Sequence, residues 1–199
     1  MEVRLAGPGD GDALAAIYGP VVAGTAVSFE VDPPDGAEMA RRVSATLPRH
    51  PWLVMDGEGA VVGYAYAHRF QARAAYDWAV ETSIYVDEAH RGCGVGRSLY
   101  HALIAVLTAQ GYHRAIAGIA LPNPASVRLH ESVGFRAVGV YHRVGWKSGA
   151  WHDVGMWELD LQTGAAPASA AARAREVAPA APVPVDRLPL GSLLMGAAP

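Results

Sequence analysis

The run Arg91-Gly92-Cys93-Gly94-Val95-Gly96 constrains this chain more than any other stretch. It follows an apolar segment, Ser83 to Val86, and opens a long amphipathic one. A strand, a turn with glycine at every second position and then a helix is one of the few ways to build an anion cradle from backbone alone. Glycines let successive amides turn inward without a Cβ in the way. The helix adds its unpaired first-turn amides and the positive end of its dipole. Arg91 and Arg97 flank the turn with mobile positive charge. A nucleotide P-loop is excluded, because Arg97-Ser98 follows Gly96 without the lysine or the leading glycine that motif needs. A dinucleotide fingerprint read from Gly94 meets Leu99 at its third glycine. Read from Gly92, it finds Gly96 one residue early.

The chain has 199 residues, enough for one well-cored domain and an appendage. A net charge of -3 without a basic cluster argues against nucleic acid as a partner. The single cysteine, Cys93, excludes internal disulfides, and the spacing of cysteines and histidines offers no metal site. No apolar run approaches membrane-spanning length and the N-terminus has no signal pattern, so the expected place is the cytoplasm, with no membrane partner.

Periodicity and turn residues give the order β-α-α-β-β-β-α-β-α-β-β, a mixed α/β sheet with helices on both faces. Asp10-Gly11-Asp12 opens a first helix that Pro20 is expected to limit, and Val21 to Glu30 reads as irregular. Asp35 begins a second helix and Pro48 ends it. Trp52 to Met55 and Ala60 to His68 form a hairpin, and Arg69 to Trp78 is a loop rich in arginine and aromatics. Val80 to Val86 is the strand before the cradle, and Gly111 stops the helix after it. Ala115 to Leu121 is a buried strand, followed by a short helix after Pro122-Asn123-Pro124. The strand Ala137 to Val144 and a last strand, Val154 to Leu161, are joined by a loop from Gly145 to Trp151. The domain therefore spans 1–162, and the alanine- and proline-rich 163–199 reads as a flexible tail. Docking of Leu188 to Met195 is the less favoured alternative.

Several blocks together resemble the GCN5-related N-acetyltransferases (GNAT). The cradle matches Arg/Gln-x-x-Gly-x-Gly/Ala, that superfamily's pyrophosphate loop. Tyr76-Asp77-Trp78, Glu81 to Val86, Leu121-Pro122-Asn123, Leu129-His130-Glu131, Gly134-Phe135 and Trp151-His152-Asp153-Val154-Gly155 are similar to the phosphinothricin and methionine-sulfone acetyltransferase branch. The resemblance implies a mostly antiparallel sheet splayed in the middle. It also implies acetyl-CoA as co-substrate, a small amine or amino-acid substrate, and a homodimer whose pocket borders the partner.

An ammonium is not nucleophilic, so acetyl transfer to an amine needs a proton acceptor. Glu81 stands inside a strand, where glutamate is a poor choice, on the face shared with Ser83 and Tyr85. A solvated face or a salt bridge is the bland alternative. Under the resemblance Glu81 is the general base, acting directly or through a water. The amides of Ile84, Tyr85 and Val86 hold the thioester end, one of them donating to the developing oxyanion. Arg91, Gly92, Cys93, Gly94, Val95, Gly96 and Arg97 grip the pyrophosphate, with Asn123 and Ser132 as further CoA contacts. Where many of these enzymes have a tyrosine acid in Asn-x-x-Ala-x-x-x-Tyr, this chain has Asn123, Ser126 and His130. His130 is thus a candidate general acid or substrate-orienting group. Cys93 reads as a spacer, since no base is aimed at it.

Phe29, Arg73 and Tyr76 are the substrate-binding candidates beside Glu81, a basic and aromatic set suited to oxygen-rich head groups. Close relatives have Trp-Lys-Ala-Arg where this chain has Phe70-Gln71-Ala72-Arg73. Loss of the lysine leaves the head-group preference open and tilts the expectation toward a neutral sulfone or an unidentified amino acid. Tyr141, Trp151 and His152 belong to the site or to a dimer interface. The alternatives are acetylation of protein N-termini or another amine, and a non-catalytic acetyl-CoA-binding module.

Overall fold

The computed structural model describes residues 1–57, 59–162 and 180–195. Seven strands form one sheet in the order β1-β2-β3-β4-β5-β7-β6. They are β1 (Glu2–Leu5), β2 (Trp52–Gly57), β3 (Ala60–Arg69), β4 (Ala79–Val86), β5 (Arg114–Leu121), β6 (Arg136–Lys147) and β7 (Ala150–Asp160). Every neighbouring pair is antiparallel except β4–β5. That parallel pair has three registered positions only, Ala79 with Arg114, Val80 with Ala115 and Glu81 with Ile116. Past Glu81 the two strands part, which is the splay the sequence blocks imply.

The helices close both faces. Helix α3 (Val95–Gln110) carries Leu99, Leu103 and Leu107 at a helical spacing and packs them, fully buried, against Leu53, Val80, Ala115 and Phe135. Each such leucine contributes about 1.5–3 kcal/mol by leaving water. Helix α4 is Pro124–Ser132, capped by the Asn123 side chain, which accepts from the Ser126 amide. Its Val127 and Leu129, with Val133 just past its end, join the same cluster. On the other face α1 (Gly11–Gly24) and α2 (Gly36–Thr46) bury Leu14, Ile17, Val22, Met39 and Val43 against Trp52, Val54 and Tyr64.

Three sequence expectations need correction. Helix α1 runs through Pro20 to Gly24. Pro20 and Ala16, whose carbonyl loses its partner, both lie on the exposed side, where water replaces the bond. Buried Val21 and Val22 hold the next turn in place. Strands β6 and β7 meet in a tight turn at Ser148-Gly149, both at positive φ (51° and 76°), in place of the loop expected from Gly145 to Trp151. The third concerns the tail. Residues 163–179 lie outside the described residues, but 180–195 lie against α3. Val185 is buried, and α5 (Leu190–Leu194) brings Leu194 to the main core.

One buried histidine gives a pH signature. His50 is sequestered beside the Tyr112 hydroxyl at 2.8 Å, and burial lowers its pKa from 6.5 to about 4. Between those values the unfolded chain binds more protons than the folded one, so stability is present above about pH 6.5 and lost as pH falls toward 4. Denaturant midpoints are expected to fall across that window in the native chain and to flatten in His50→Gln; equal slopes would rule out His50 as the cause.

Candidate active site

The fork between β4 and β5 is where the chain concentrates reactive groups. A cavity of about 50 Å³ opens there, with Ser83, Ile84 and Tyr85 on one side and Gly118 and Ile119 on the other. Asn123, Ser126 and His130 of the α4 region line its end. Because β4 has no strand partner on this edge beyond Glu81, alternate backbone groups through Ile84–Val86 face the opening. The Tyr85 ring points away and packs on Tyr18 and Tyr64, with centroids 4.7 and 5.4 Å apart, so only its main chain serves the fork.

Glu81 stands at the last paired position, opposite His68 on β3 and one strand from Gly118. A Cβ on Gly118 would sit 3.7 Å from Glu81 Oε1, so the carboxylate leans over the backbone of β5. No ion pair holds Glu81 among the described residues, which removes the salt-bridge alternative. Tyr66 lies opposite Ser83, stacked on Trp52 at 4.1 Å, and continues an aromatic floor through Tyr64 to Tyr85. Sequence reasoning missed Tyr66, although its alternation with Tyr64 and His68 on β3 carried the signal.

The cradle has the geometry its glycines suggest. Gly92 and Gly94 adopt φ of 78° and 86°, a region closed to most side chains, and Gly94 caps α3. Gly96 serves packing, since a Cβ there would come within 3.0 Å of Leu129. Arg91, Cys93 and Arg97 are exposed around the turn, and Arg91 Nε donates to the Val86 carbonyl at 3.3 Å. Val95 is buried and anchors the first turn of α3.

His130 is 3% exposed, with both ring nitrogens engaged. Nδ1 lies 2.7 Å from the Ser126 carbonyl, which can only accept, so Nδ1 carries the proton. Nε2 then accepts from the Tyr100 hydroxyl at 2.6 Å. Burial lowers the His130 pKa, so the ring is neutral near pH 7. A neutral imidazole with its one N–H spent on a carbonyl is better suited to fixing the first turns of α4 than to delivering a proton. Tyr100, fully buried within α3, gave no sequence signal because it adjoins the apolar stripe.

The remaining candidates separate. Phe29 lies against Gly145 of β6, with its ring 6.1 Å from His152. Its loop is pinned twice: Tyr18 Oη to Ser28 (2.6 Å) and Glu30 (2.9 Å), and Lys147 Nζ donating to the Val22 and Ser28 carbonyls. Val27 of that loop reaches the fork cavity. Arg73 and Tyr76 are exposed on the loop before β4 and do not line the cavity. Ser132 is exposed at the far end of α4, its hydroxyl donating to the Leu129 carbonyl, and it also stays out of the cavity. A larger cavity of about 640 Å³ lies between α1 and the β2–β3 hairpin, but its Arg4 is already held by Asp10 and Asp56. Among the described residues no cluster of three or more His, Cys, Asp or Glu is placed to hold a metal ion. Among them, too, no helix is long and apolar enough to cross a membrane.

A splayed sheet with a glycine cradle at the end of the diverging strand defines an acyl-group transferase. The family model of the acetyltransferase (GNAT) domain matches residues 3–157. The chain is 40% identical over 167 residues to a phosphinothricin N-acetyltransferase of Streptomyces viridochromogenes, covering 84% of this chain and 91% of that protein. It is 36% identical to an L-methionine sulfoximine/L-methionine sulfone acetyltransferase of Salmonella typhimurium, covering 84% and 98%. A phosphinothricin acetyltransferase from Sinorhizobium meliloti, solved with acetyl-CoA, superposes with a TM-score of 0.76 at 37% identity, covering 79% of this chain and 86% of that one. The chain belongs to the GNAT acetyltransferase family and is an N-acetyltransferase.

Proposed function

We propose that the protein transfers the acetyl group of acetyl-CoA to the amino group of a small amino acid of the phosphinothricin or methionine sulfone/sulfoximine type, by direct attack. The observation that carries this reading is the fork. Glu81, a carboxylate without an ion pair among the described residues, stands at the last registered position of β4 and β5 and leans over Gly118. The main-chain groups freed by the parting follow it on the same strand. The relatives' substrates supply the amine class.

Glu81 takes a proton from the ammonium, directly or through one water. The amine then attacks the thioester carbonyl. A β4 amide near Val86 donates to the oxygen as charge gathers there. The C–S bond breaks, CoA leaves as thiolate, and the second proton of the nitrogen passes to that thiolate, giving the neutral amide and CoA thiol, while Glu81 returns its own proton to solvent. Main-chain amides at Gly92–Gly96 and the start of α3 hold the pyrophosphate, with Arg91 and Arg97 adding charge. His130, held by Tyr100, positions α4 so that the Asn123 amide reaches the pantetheine arm. The reaction belongs in the cytoplasm, beside its acetyl-CoA supply.

A homodimer fits the same reading. Edge strand β6 exposes Val138, Val140, Tyr141, Val144 and Trp146, with Trp151 beside them, and such an apolar strip suits an interface. A second copy is the occupant, and sedimentation of the native chain as a monomer would remove this part. The activity itself is tested by CoA release against a panel containing phosphinothricin, methionine sulfone, ordinary amino acids and N-terminal peptides. Release is expected with the first two and not with peptides. No release with any amine would leave only a binding module.

A further inference from the structure

The segment 180–195 lies past the matched family residues, yet its contacts are specific. Val183 and Gln110 exchange two bonds: the Val183 amide donates to the Gln110 carbonyl at 2.8 Å, and Gln110 Nε2 donates to the Val183 carbonyl at 2.8 Å. Gln110 is 1% exposed and also donates to the Arg49 carbonyl at 3.0 Å. Val185, 2% exposed, seats the next turn, and Leu194 reaches the main core. So held, the segment presents the Ala180 carbonyl to the indole N–H of Trp78 at 2.8 Å.

Trp78 closes the loop that carries Arg73 and Tyr76. From the other side, Asp77 is held by Arg69 at 2.9 Å and Arg49 at 3.2 Å. The Trp78 carbonyl accepts from the amides of His113 and Arg114, which fixes the entry of β4 three residues before Glu81. Gln110, through Arg49 and Val183, links both anchors.

We infer that residues 180–185 act as a strap that positions the 70–78 loop, and through it the amine-binding side of the site. Trp78 and Val185 are positioning residues; neither touches a reacting atom. The inference rests on the sequence expectation that Arg73 and Tyr76 contact the substrate, although neither lines the cavity between β4 and β5, and the strap's hold on the loop is measurable without it.

The test uses two full-length variants. Val185→Asp places a charge at the buried seat of the strap and ejects it, with no substitution among the residues matched to the family. Trp78→Phe keeps an aromatic ring and removes the single N–H donor. Amide hydrogen exchange across residues 70–78 is expected to quicken in both, by roughly threefold to tenfold in Trp78→Phe, as the loss of one hydrogen bond implies. The KM for methionine sulfone is expected to rise by a similar factor, with kcat and the KM for acetyl-CoA unchanged. Unchanged exchange in Val185→Asp would overturn the strap. Quickened exchange with an unmoved amine KM, or with both KM values rising together, would overturn its positioning role. If no amine is a substrate, the exchange measurement still decides whether the strap holds the loop, so the two failures are separable.

Discussion

Glu81→Gln is expected to lower kcat by about 100- to 10,000-fold, the usual worth of a positioned proton acceptor, while the KM for acetyl-CoA stays unchanged. Glutamine keeps the size and hydrogen-bonding reach of the side chain but cannot take a proton from an ammonium. Folding should be indifferent to the change. Glu81 is half-exposed and makes no ion pair or side-chain hydrogen bond among the described residues, so no buried partner is stranded. Its strand is fixed by neighbours: seven registered pairs to β3 and three to β5 set where the carboxylate stands. Steady-state kinetics in both substrates, beside thermal melts, check the outcome. A kcat within a few-fold of the native value would return Glu81 to the bland reading of a solvated sheet face.

Much of this architecture was legible in the chain because its signals are local. Alternating apolar residues and the glycine pattern place β4, the cradle and α3 in order without any long-range information. The splay was available only through resemblance. Whether β4 and β5 stay paired past Ile116 depends on how α3 and α4 wedge against the sheet, through contacts such as Gly96 against Leu129. The same holds for His130. Its spacing from Asn123 pointed to the thiolate, but the Ser126 carbonyl sets its tautomer and its other ring nitrogen is taken by Tyr100, thirty residues away in sequence. Pro20 misled for the opposite reason. Local chemistry argued for a break, and the tertiary burial of Val21 and Val22 overrode it. The docked 180–195 segment was hidden by composition, since alanine and proline carry no periodicity that would flag Val185 as a core residue.

Gly94→Val is expected to weaken acetyl-CoA binding by about 10- to 100-fold, which corresponds to ~1.4–2.8 kcal/mol. Gly94 sits at φ 86° as the N-cap of α3, where a β-branched residue is sterically excluded, so the turn must refold locally to admit valine. Refolding turns one amide of the Val95-Gly96 pair from the cradle, removing one hydrogen bond to a charged group worth about 1.5–3 kcal/mol. It also displaces the pyrophosphate from the helix terminus, where the dipole adds about 0.3–1 kcal/mol. The strain alone would destabilise the fold, so a matched control is needed. Gly59 has φ 89° in the β2–β3 turn, and a Cβ added there would meet nothing within 4 Å, so Gly59→Val carries comparable backbone strain away from the cradle. Calorimetric titration with CoA should then separate the two effects: both variants lose stability, and only Gly94→Val loses affinity. Equal affinity in the two variants would mean that the turn at 91–96 is merely a structural corner, and the anion-cradle assignment would fall with it.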